Sequence, residues 1–123
     1  MKCKEHPVGA RLKIVLGRET AMGPGKADLL AHIAESGSIS AAGRQMAMSY
    51  RRAWLLVDEM NKMFQSPLVT ASKGGKGGGG GAELAKLGRE VLSRYRNMER
   101  RTAKAIAADL AALRRTLAQQ KRG

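Results

Sequence analysis

The sequence predicts an α-rich fold with a small β-sheet, a winged helix-turn-helix followed by a long C-terminal helix. Residues 37–54, GSISAAGRQMAMSYRRAW, show a short helix pattern, a tight turn and the start of a second helix. Residues 72–84, SKGGKGGGGGAEL, form a glycine loop carrying Lys73 and Lys76 where a β-hairpin wing would lie. Residues 87–119 contain no proline and are rich in Ala, Leu, Arg and Glu, which favours one long helix.

The composition points to a polyanionic partner. The chain has 123 residues, and its 23 Lys and Arg against 10 Asp and Glu give a formal charge of +13. Such a field concentrates polyanions, so nucleic acid is the natural partner, although an anionic membrane surface or mere solubility would also use this charge. The apolar runs fall far short of the roughly 20 residues that span a bilayer. The N-terminus also lacks the apolar core of a signal peptide, so we expect a cytoplasmic chain without a membrane partner.

The N-terminal part predicts one strand and one helix. Apolar and polar residues alternate from Ala10 to Leu16, a period of two that predicts a half-buried strand ending at Gly17. Helix one is predicted over residues 26–36, with glycine and proline before it and Gly37 after it. Its apolar positions recur at helical spacing: Leu29, Leu30, Ile33 and Ala34.

The next two helices form the predicted helix-turn-helix. Ser38 is a good N-cap for a short second helix, and the small residues 41–43 allow a close helix crossing. Ser49 is expected to cap helix three, which runs to about Phe64. Four residues at intervals of four, three and four define its buried stripe: Ala53, Val57, Met60 and Phe64. Pro67 then stops the helix, and residues 68–70 and 82–84 are predicted as the two wing strands.

The C-terminal helix carries an apolar stripe that is longer than a domain of this size can cover. Its members recur at intervals of three and four: Val91, Tyr95, Met98, Thr102, Ile106, Leu110, Leu113 and Leu117. The part up to about Met98 is expected to pack on its own domain. For Ile106, Leu110, Leu113 and Leu117 we expect a second copy of the chain, because a two-fold dimer would place two reading heads in successive major grooves.

The sequence predicts no catalytic residue, no metal site and no cofactor. Cys3 and His6 are two potential ligands, which do not complete a tetrahedral metal site, and His32 is expected at a surface or boundary position. The glycine loop matches GxGxxG, but no apolar strand of a βαβ unit leads into it. No nucleophile, base and acid can be grouped from so few histidines, so we expect a protein that is not an enzyme.

The candidate DNA-binding residues lie at the starts of the two helices and in the wing. Tyr50 and Arg51 are expected to contact base edges, and Ser49 and Arg52 to contact phosphate. Lys73 and Lys76 should contact the DNA backbone only. Three further candidates are Ser38, Ser40 and Trp54.

These residues resemble a known family. The stretch GSISAAGRQMAMSYRRAWLLVDEMN, with PLV, GGKGGGGGAEL and GREVL after it, is similar to the N-terminal DNA-binding domain of ModE-type molybdate-dependent transcription regulators, which is related to the LysR-type winged helix. The resemblance covers roughly residues 10–98 and implies a dimer built on the C-terminal helix. The chain ends at Gly123 without the family's molybdate-binding domains, so we expect no molybdate binding. Leu55 and Leu56 also depart from the family's pattern, which tends to have smaller or more polar residues there.

The sequence as a whole therefore predicts three parts and a DNA-binding function. We expect a mobile N-terminus at 1–9, a winged helix-turn-helix domain at 10–86 and a dimerisation helix at 87–123. The expected function is that of a dimeric, sequence-specific regulator of transcription that binds double-stranded DNA. Two alternatives stay open: an architectural DNA-binding protein of nucleoid type with low sequence preference, and a protein-interaction module that pairs with another regulator.

Overall fold

The computed structural model describes residues 8–72 and 81–118. Within this part of the chain it is helix-rich, with two small antiparallel sheets. The elements, in chain order, are β1 (Ile14–Gly17), β2 (Thr20–Met22), α1 (Pro24–Ser36), α2 (Ile39–Gln45), α3 (Tyr50–Met63), β3 (Val69–Ser72), β4 (Gly81–Leu84), α4 (Lys86–Ala105) and α5 (Ala107–Arg115).

Each sheet is a single hairpin. Strands β1 and β2 pair with Ile14 opposite Met22, and the register shifts between Val15 and Gly17. The predicted strand from Ala10 therefore begins only at Ile14, and β2 was not predicted, because three residues are too few to show a period of two. Strands β3 and β4 pair in regular register at the two positions where the wing strands were predicted. The glycine loop between them, with Lys73 and Lys76, lies outside the described residues.

The three helices α1, α2 and α3 begin and end largely as predicted. The hydroxyl oxygen of Ser38 accepts a hydrogen bond of 3.0 Å from the amide of Ala41, so the predicted cap of α2 is confirmed. Ser49 caps α3 in the same way through the amide of Arg52 at 3.1 Å. Gly37 ends α1 at φ +73°, a left-handed conformation that glycine adopts without a steric penalty.

One core joins all of these elements except α5. Helices α2 and α3 cross closely at Gly43, where an added Cβ would lie 3.1 Å from the Cβ of Ala53. The predicted stripe of α3 is buried at Ala53, Val57 and Met60, whereas its fourth member, Phe64, is half-buried at the C-cap. Tyr95 of α4 is only 1% exposed. The core is completed by Met22, Ala27, Leu29, Leu30, Ile33, Ala42, Leu68, Val69, Ala82 and Leu84.

The prediction of one uninterrupted helix over residues 87–119 is wrong. Helix α4 ends at Ala105, the ψ of 3° at Ile106 departs from the helical value, and α5 then runs from Ala107 to Arg115. No proline or glycine marks this position, so composition gave no signal. None of the α5 residues is buried, so packing against the rest of the domain does not hold the chain in one straight helix there.

The first turn of α4 lies directly against Leu68, the residue that precedes β3. The amide of Ala85 donates a hydrogen bond of 2.8 Å to the carbonyl oxygen of Leu68. A Cβ on Gly88 would overlap the same carbonyl group, so only glycine permits this approach. No helix in the described part of the chain is both long and apolar enough to cross a membrane.

Candidate nucleic-acid interface

The start of α3 presents large side chains to solvent. Tyr50 is 57% exposed and Trp54 44%, and Arg51 and Arg52 are also exposed. Because the buried stripe occupies one side of α3, the 3.6-residue period places Arg51 on the outer side, away from the core. Tyr50 and Arg52 project to its two flanks. The first turn therefore offers a phenol and two guanidinium groups in different directions.

The two serines predicted from the α2 region lie beside this turn. The hydroxyl oxygen of Ser38 accepts the cap hydrogen bond, which leaves its proton available to donate. Ser40 accepts a hydrogen bond of 3.0 Å from a terminal guanidinium nitrogen of Arg44. Both serines are half-buried, and both remain at the surface of the domain.

An open cleft joins α2, α3 and β4. It has a volume of about 410 Å³, and it is lined by Ser38, Ile39, Ser40, Tyr50, Gly81 and Ala82. The structure thus brings Ser38, Ser40 and Tyr50 together with the start of β4, at the end of the β3–β4 hairpin that is nearer its loop. We call this the β4 cleft.

Asn61 fixes the position of the hairpin relative to α3, a role that sequence reasoning missed. Its Oδ1 accepts hydrogen bonds from the amides of Leu68 and Val69 at 2.9 and 3.0 Å, and its Nδ2 donates one of 3.1 Å to the carbonyl oxygen of Val69. The signal was an asparagine inside a helix, where its propensity is poor. Asn61 therefore joins α3 to β3, the strand that precedes the glycine loop.

Five of the nine acidic side chains in the described residues form ion pairs, none of them with Arg51 or Arg52. Glu59 binds Lys26 at 2.9 Å, and Asp58 binds Lys62 at 3.0 Å. On α4, Glu90 pairs with Arg94, and Arg96 bridges Glu99 and Asp28. Within residues 8–72 and 81–118, neither Arg51 nor Arg52 takes part in an ion pair. Their positive charge is not neutralised by a described carboxylate, which favours contact with an anion.

The predicted dimerisation row is only partly exposed. Ile106 and Leu110 are half-buried, whereas Leu113 and Leu117 are each 65% exposed. The exposed end of the row lies on and just after α5. Leu55 and Leu56, the two residues that depart from the family's pattern, lie on α3. Leu55 is 45% exposed and adds an apolar side chain to the surface, whereas Leu56 is half-buried.

Metal ligands do not cluster in the described residues. No group of three or more His, Cys, Asp and Glu side chains there could hold a metal ion. Cys3 and His6 lie outside the described part of the chain. His32 is half-buried, as expected for a boundary position, and its Nδ1 has no hydrogen-bond partner among the described residues.

Comparison with known proteins finds relatives of two kinds. The molybdenum-pterin-binding protein MopB of Rhodobacter capsulatus is 43% identical over 96 residues, which are 77% of this chain and 35% of MopB. MopA of the same organism is 32% identical over 83% of this chain and 38% of its own length. The DNA-binding transcriptional dual regulator ModE of Escherichia coli is 39% identical over 68% of this chain and 32% of ModE. The chain thus spans about a third of the length of these relatives. No family model matches it.

These relatives correct two expectations. The expectation of an N-terminal DNA-binding domain of ModE-type regulators without the molybdate-binding domains is wrong, because molybdenum-pterin-binding proteins are matched as well as ModE. The expectation of no molybdate binding is wrong for the same reason, since the names of both Mop relatives record a molybdenum ligand. What the comparisons establish is that this chain is similar, over a third of their length, to the ModE regulators and to the Mop proteins.

Proposed function

We propose that this chain binds double-stranded DNA and regulates transcription, by binding rather than by catalysis. The observation that carries the proposal is the start of α3, where Tyr50, Arg51 and Arg52 are exposed beside the β4 cleft and outside the described ion pairs. The name of the relative ModE, a DNA-binding transcriptional dual regulator, supports it. The charge of +13 favours the same partner.

In this proposal α2, α3 and the β3–β4 hairpin form a winged helix-turn-helix. The first turn of α3 enters the major groove, whose width of about 12 Å admits one helix. Arg51 and Tyr50 then read base edges, because they lie on the outer side of α3 and on the side that faces the β4 cleft. Ser38, Ser40 and Ser49 lie further back and donate to phosphate oxygens. Trp54 contributes apolar contact one turn along, and the loop with Lys73 and Lys76 contacts the neighbouring backbone.

The proposed active form is a dimer. Leu113 and Leu117 expose apolar surface that a second copy of the chain would cover, with Ile106 and Leu110 at the inner end of the row. Two copies related by a two-fold axis would place two α3 helices about one turn of DNA apart, roughly 34 Å. A palindromic binding site follows from this symmetry.

The test is the ratio of specific to non-specific affinity at fixed salt. Duplexes selected from a random library and scrambled duplexes of equal length are compared by fluorescence anisotropy at about 0.15 M salt. A ratio of roughly 10³ or more supports a sequence-specific regulator. A ratio near one favours an architectural DNA-binding protein, and absence of binding to any duplex favours a protein-interaction module.

Molybdenum binding is a second candidate function, and the names of MopA and MopB favour it. Isothermal titration with sodium molybdate, in the presence and absence of the selected duplex, tests it. Saturable binding that also changes the DNA affinity would make the oxyanion an effector of this chain. Heats no larger than those of a sulfate titration would remove the candidate.

A further inference from the structure

A second cleft lies on the opposite flank of α3 from the β4 cleft. Its volume is about 360 Å³, and its walls come from the segment before β1, from the start of α1 and from α3. The side chains that matter for its charge are Lys13, Lys26 and Arg52, with Met48 and Leu56 on the apolar part of its wall. We call it the Lys13 cleft.

The two clefts flank the same turn of one helix. Tyr50 lines the β4 cleft and Arg52, two residues later, lines the Lys13 cleft. Two residues correspond to about 200° of helical rotation, so the clefts open on opposite sides of α3. A helix seated in the major groove has one phosphate backbone on each side of it. The geometry of the domain therefore offers one concave surface for each strand.

The charges of the Lys13 cleft suit a phosphate backbone. Lys13 and Arg52 are exposed, and neither forms an ion pair within the described ranges. Lys26 is already committed, since its Nζ binds Glu59 at 2.9 Å and the carbonyl oxygen of Ala21 at 3.1 Å. This pairing neutralises the carboxylate of Glu59, which follows three residues after the cleft-lining Leu56. Lys13 and Arg52 therefore line the cleft without an ion pair among the described residues, and the nearby carboxylate of Glu59 is already paired with Lys26.

The position of Lys13 is fixed by the core. The carbonyl oxygen of the preceding residue, Leu12, accepts a hydrogen bond of 2.7 Å from the hydroxyl of Tyr95. The same carbonyl oxygen would lie 3.9 Å from a Cβ on Gly23, so the backbone here runs close to the start of α1. The backbone at Lys13 is thus held in a fixed position, and from there its long side chain can reach a phosphate.

We propose that the Lys13 cleft holds the phosphate backbone of the DNA strand that runs on the far side of α3 from the β4 hairpin, with Lys13 and Arg52 as its contacts. The inference rests on the proposed function and adds a contact surface from the N-terminal segment, outside the helix-turn-helix and the wing. The two strands flanking the reading helix would then be bound by different parts of the domain.

The test compares Lys13→Ala with two matched variants on the duplex selected by the wild-type chain. Lys13→Arg keeps the charge, and Lys104→Ala removes an exposed lysine from the last turn of α4. One lost phosphate contact should lower the slope of log K against log salt by about 0.9 and the affinity roughly fivefold to tenfold at 0.1 M salt. We expect both changes for Lys13→Ala and neither for Lys13→Arg or Lys104→Ala. The sequence that the chain selects should stay unchanged.

Phosphate ethylation interference locates the contact. With Lys13→Ala, interference should disappear at phosphates of one strand flanking each half-site and persist on the other strand. If wild-type chain binds DNA but Lys13→Ala matches Lys104→Ala in slope and footprint, the Lys13 cleft is not a DNA contact. If the wild-type chain binds no duplex at all, the proposed function itself fails.

Discussion

The phenol hydroxyl of Tyr95 donates a hydrogen bond of 2.7 Å to the backbone carbonyl oxygen of Leu12, across 83 positions of sequence. Tyr95 is only 1% exposed, and the bond that its hydroxyl makes is partly buried. It joins the middle of α4 to the segment that precedes β1. Through it, the C-terminal half of the domain fixes the backbone from which Lys13 leaves toward α3.

Replacement of this phenol should destabilise the fold. Tyr95→Phe keeps the ring and removes the hydrogen bond, which leaves the Leu12 carbonyl without that donor, so we expect a loss of about 1–2 kcal/mol in the free energy of unfolding. Urea denaturation followed by circular dichroism measures it. Tyr50→Phe is the matched control, because Tyr50 is 57% exposed. Equal stability of the two variants would contradict the assigned role of Tyr95.

The difference in unfolding free energy between wild type and Tyr95→Phe should depend on pH in the alkaline range. Burial, and next the nearby carboxylate of Glu99, raise the pKa of the Tyr95 phenol above its ordinary value of 10.0. A pKa raised by folding means that the folded state favours the neutral phenol. Its stabilisation is complete below the unfolded pKa and is lost as the pH rises through the folded one. The stability gap between wild type and Tyr95→Phe should therefore be constant up to about pH 9 and narrow above about pH 10. A gap that widens at high pH would contradict this account.

Asn61 should be required to hold the β3–β4 hairpin on α3. Its side chain makes three hydrogen bonds to the backbone of Leu68 and Val69. Since each contributes about 1 kcal/mol, Asn61→Ala should cost about 2–4 kcal/mol in the free energy of unfolding. Asn61→Asp retains the two accepted bonds and loses the donated one, so its cost should be smaller. Thermal unfolding of both variants in parallel measures these losses. An Asn61→Ala protein as stable as wild type would show that Asn61 is not required to hold the hairpin on α3.

The helix caps show which parts of this fold are predictable from sequence. Ser38 and Ser49 were identified because a cap depends on a residue and its next three neighbours, a purely local relation. The buried stripe of α3 was predictable for the same reason, since its period is local. The strands flanking the glycine loop were likewise marked by Pro67 and by a short apolar run.

The remaining features depend on distant partners. Strand β2 exists because it pairs with β1, and three residues carry no period of their own. The role of Asn61 depends on a strand eight positions away, and that of Tyr95 on a carbonyl group at Leu12. The break between α4 and α5 at Ile106 could not be predicted, because no proline or glycine lies there. For the candidate interface, the sequence indicated the residues at the start of α3, but only the fold showed that Lys13 and Arg52 line the same cleft.

The exposed apolar row that includes Leu113 and Leu117 should control assembly. We expect the double variant Leu113→Lys with Leu117→Lys to convert a dimer to a monomer, because it places charge on the exposed apolar row. Ala108→Lys, on the opposite side of α5 by helical period, is the matched control and should remain a dimer. Sedimentation equilibrium at micromolar concentration measures both. A wild-type monomer, or a leucine double variant that stays dimeric, would show that this row is not the interface.

Truncation after Arg101 should have the same effect and should also weaken DNA binding. Loss of the second reading head removes the advantage of linked half-sites, which can reach roughly 10²-fold in affinity. Binding of the truncated chain to a duplex with a single half-site should be unchanged. An equal loss on both duplexes would instead indicate damage to the domain.

The central claim, that the start of α3 reads base sequence, is tested most directly by selecting bound duplexes from a random library with wild type and Arg51→Ala side by side. Wild type should enrich a motif with two-fold symmetry. Arg51→Ala should lose preference at one position in each half-site, at a cost of about 1–3 kcal/mol on the wild-type motif. If wild type enriches no motif, or if Arg51→Ala selects the wild-type motif unchanged, α3 does not read DNA through Arg51.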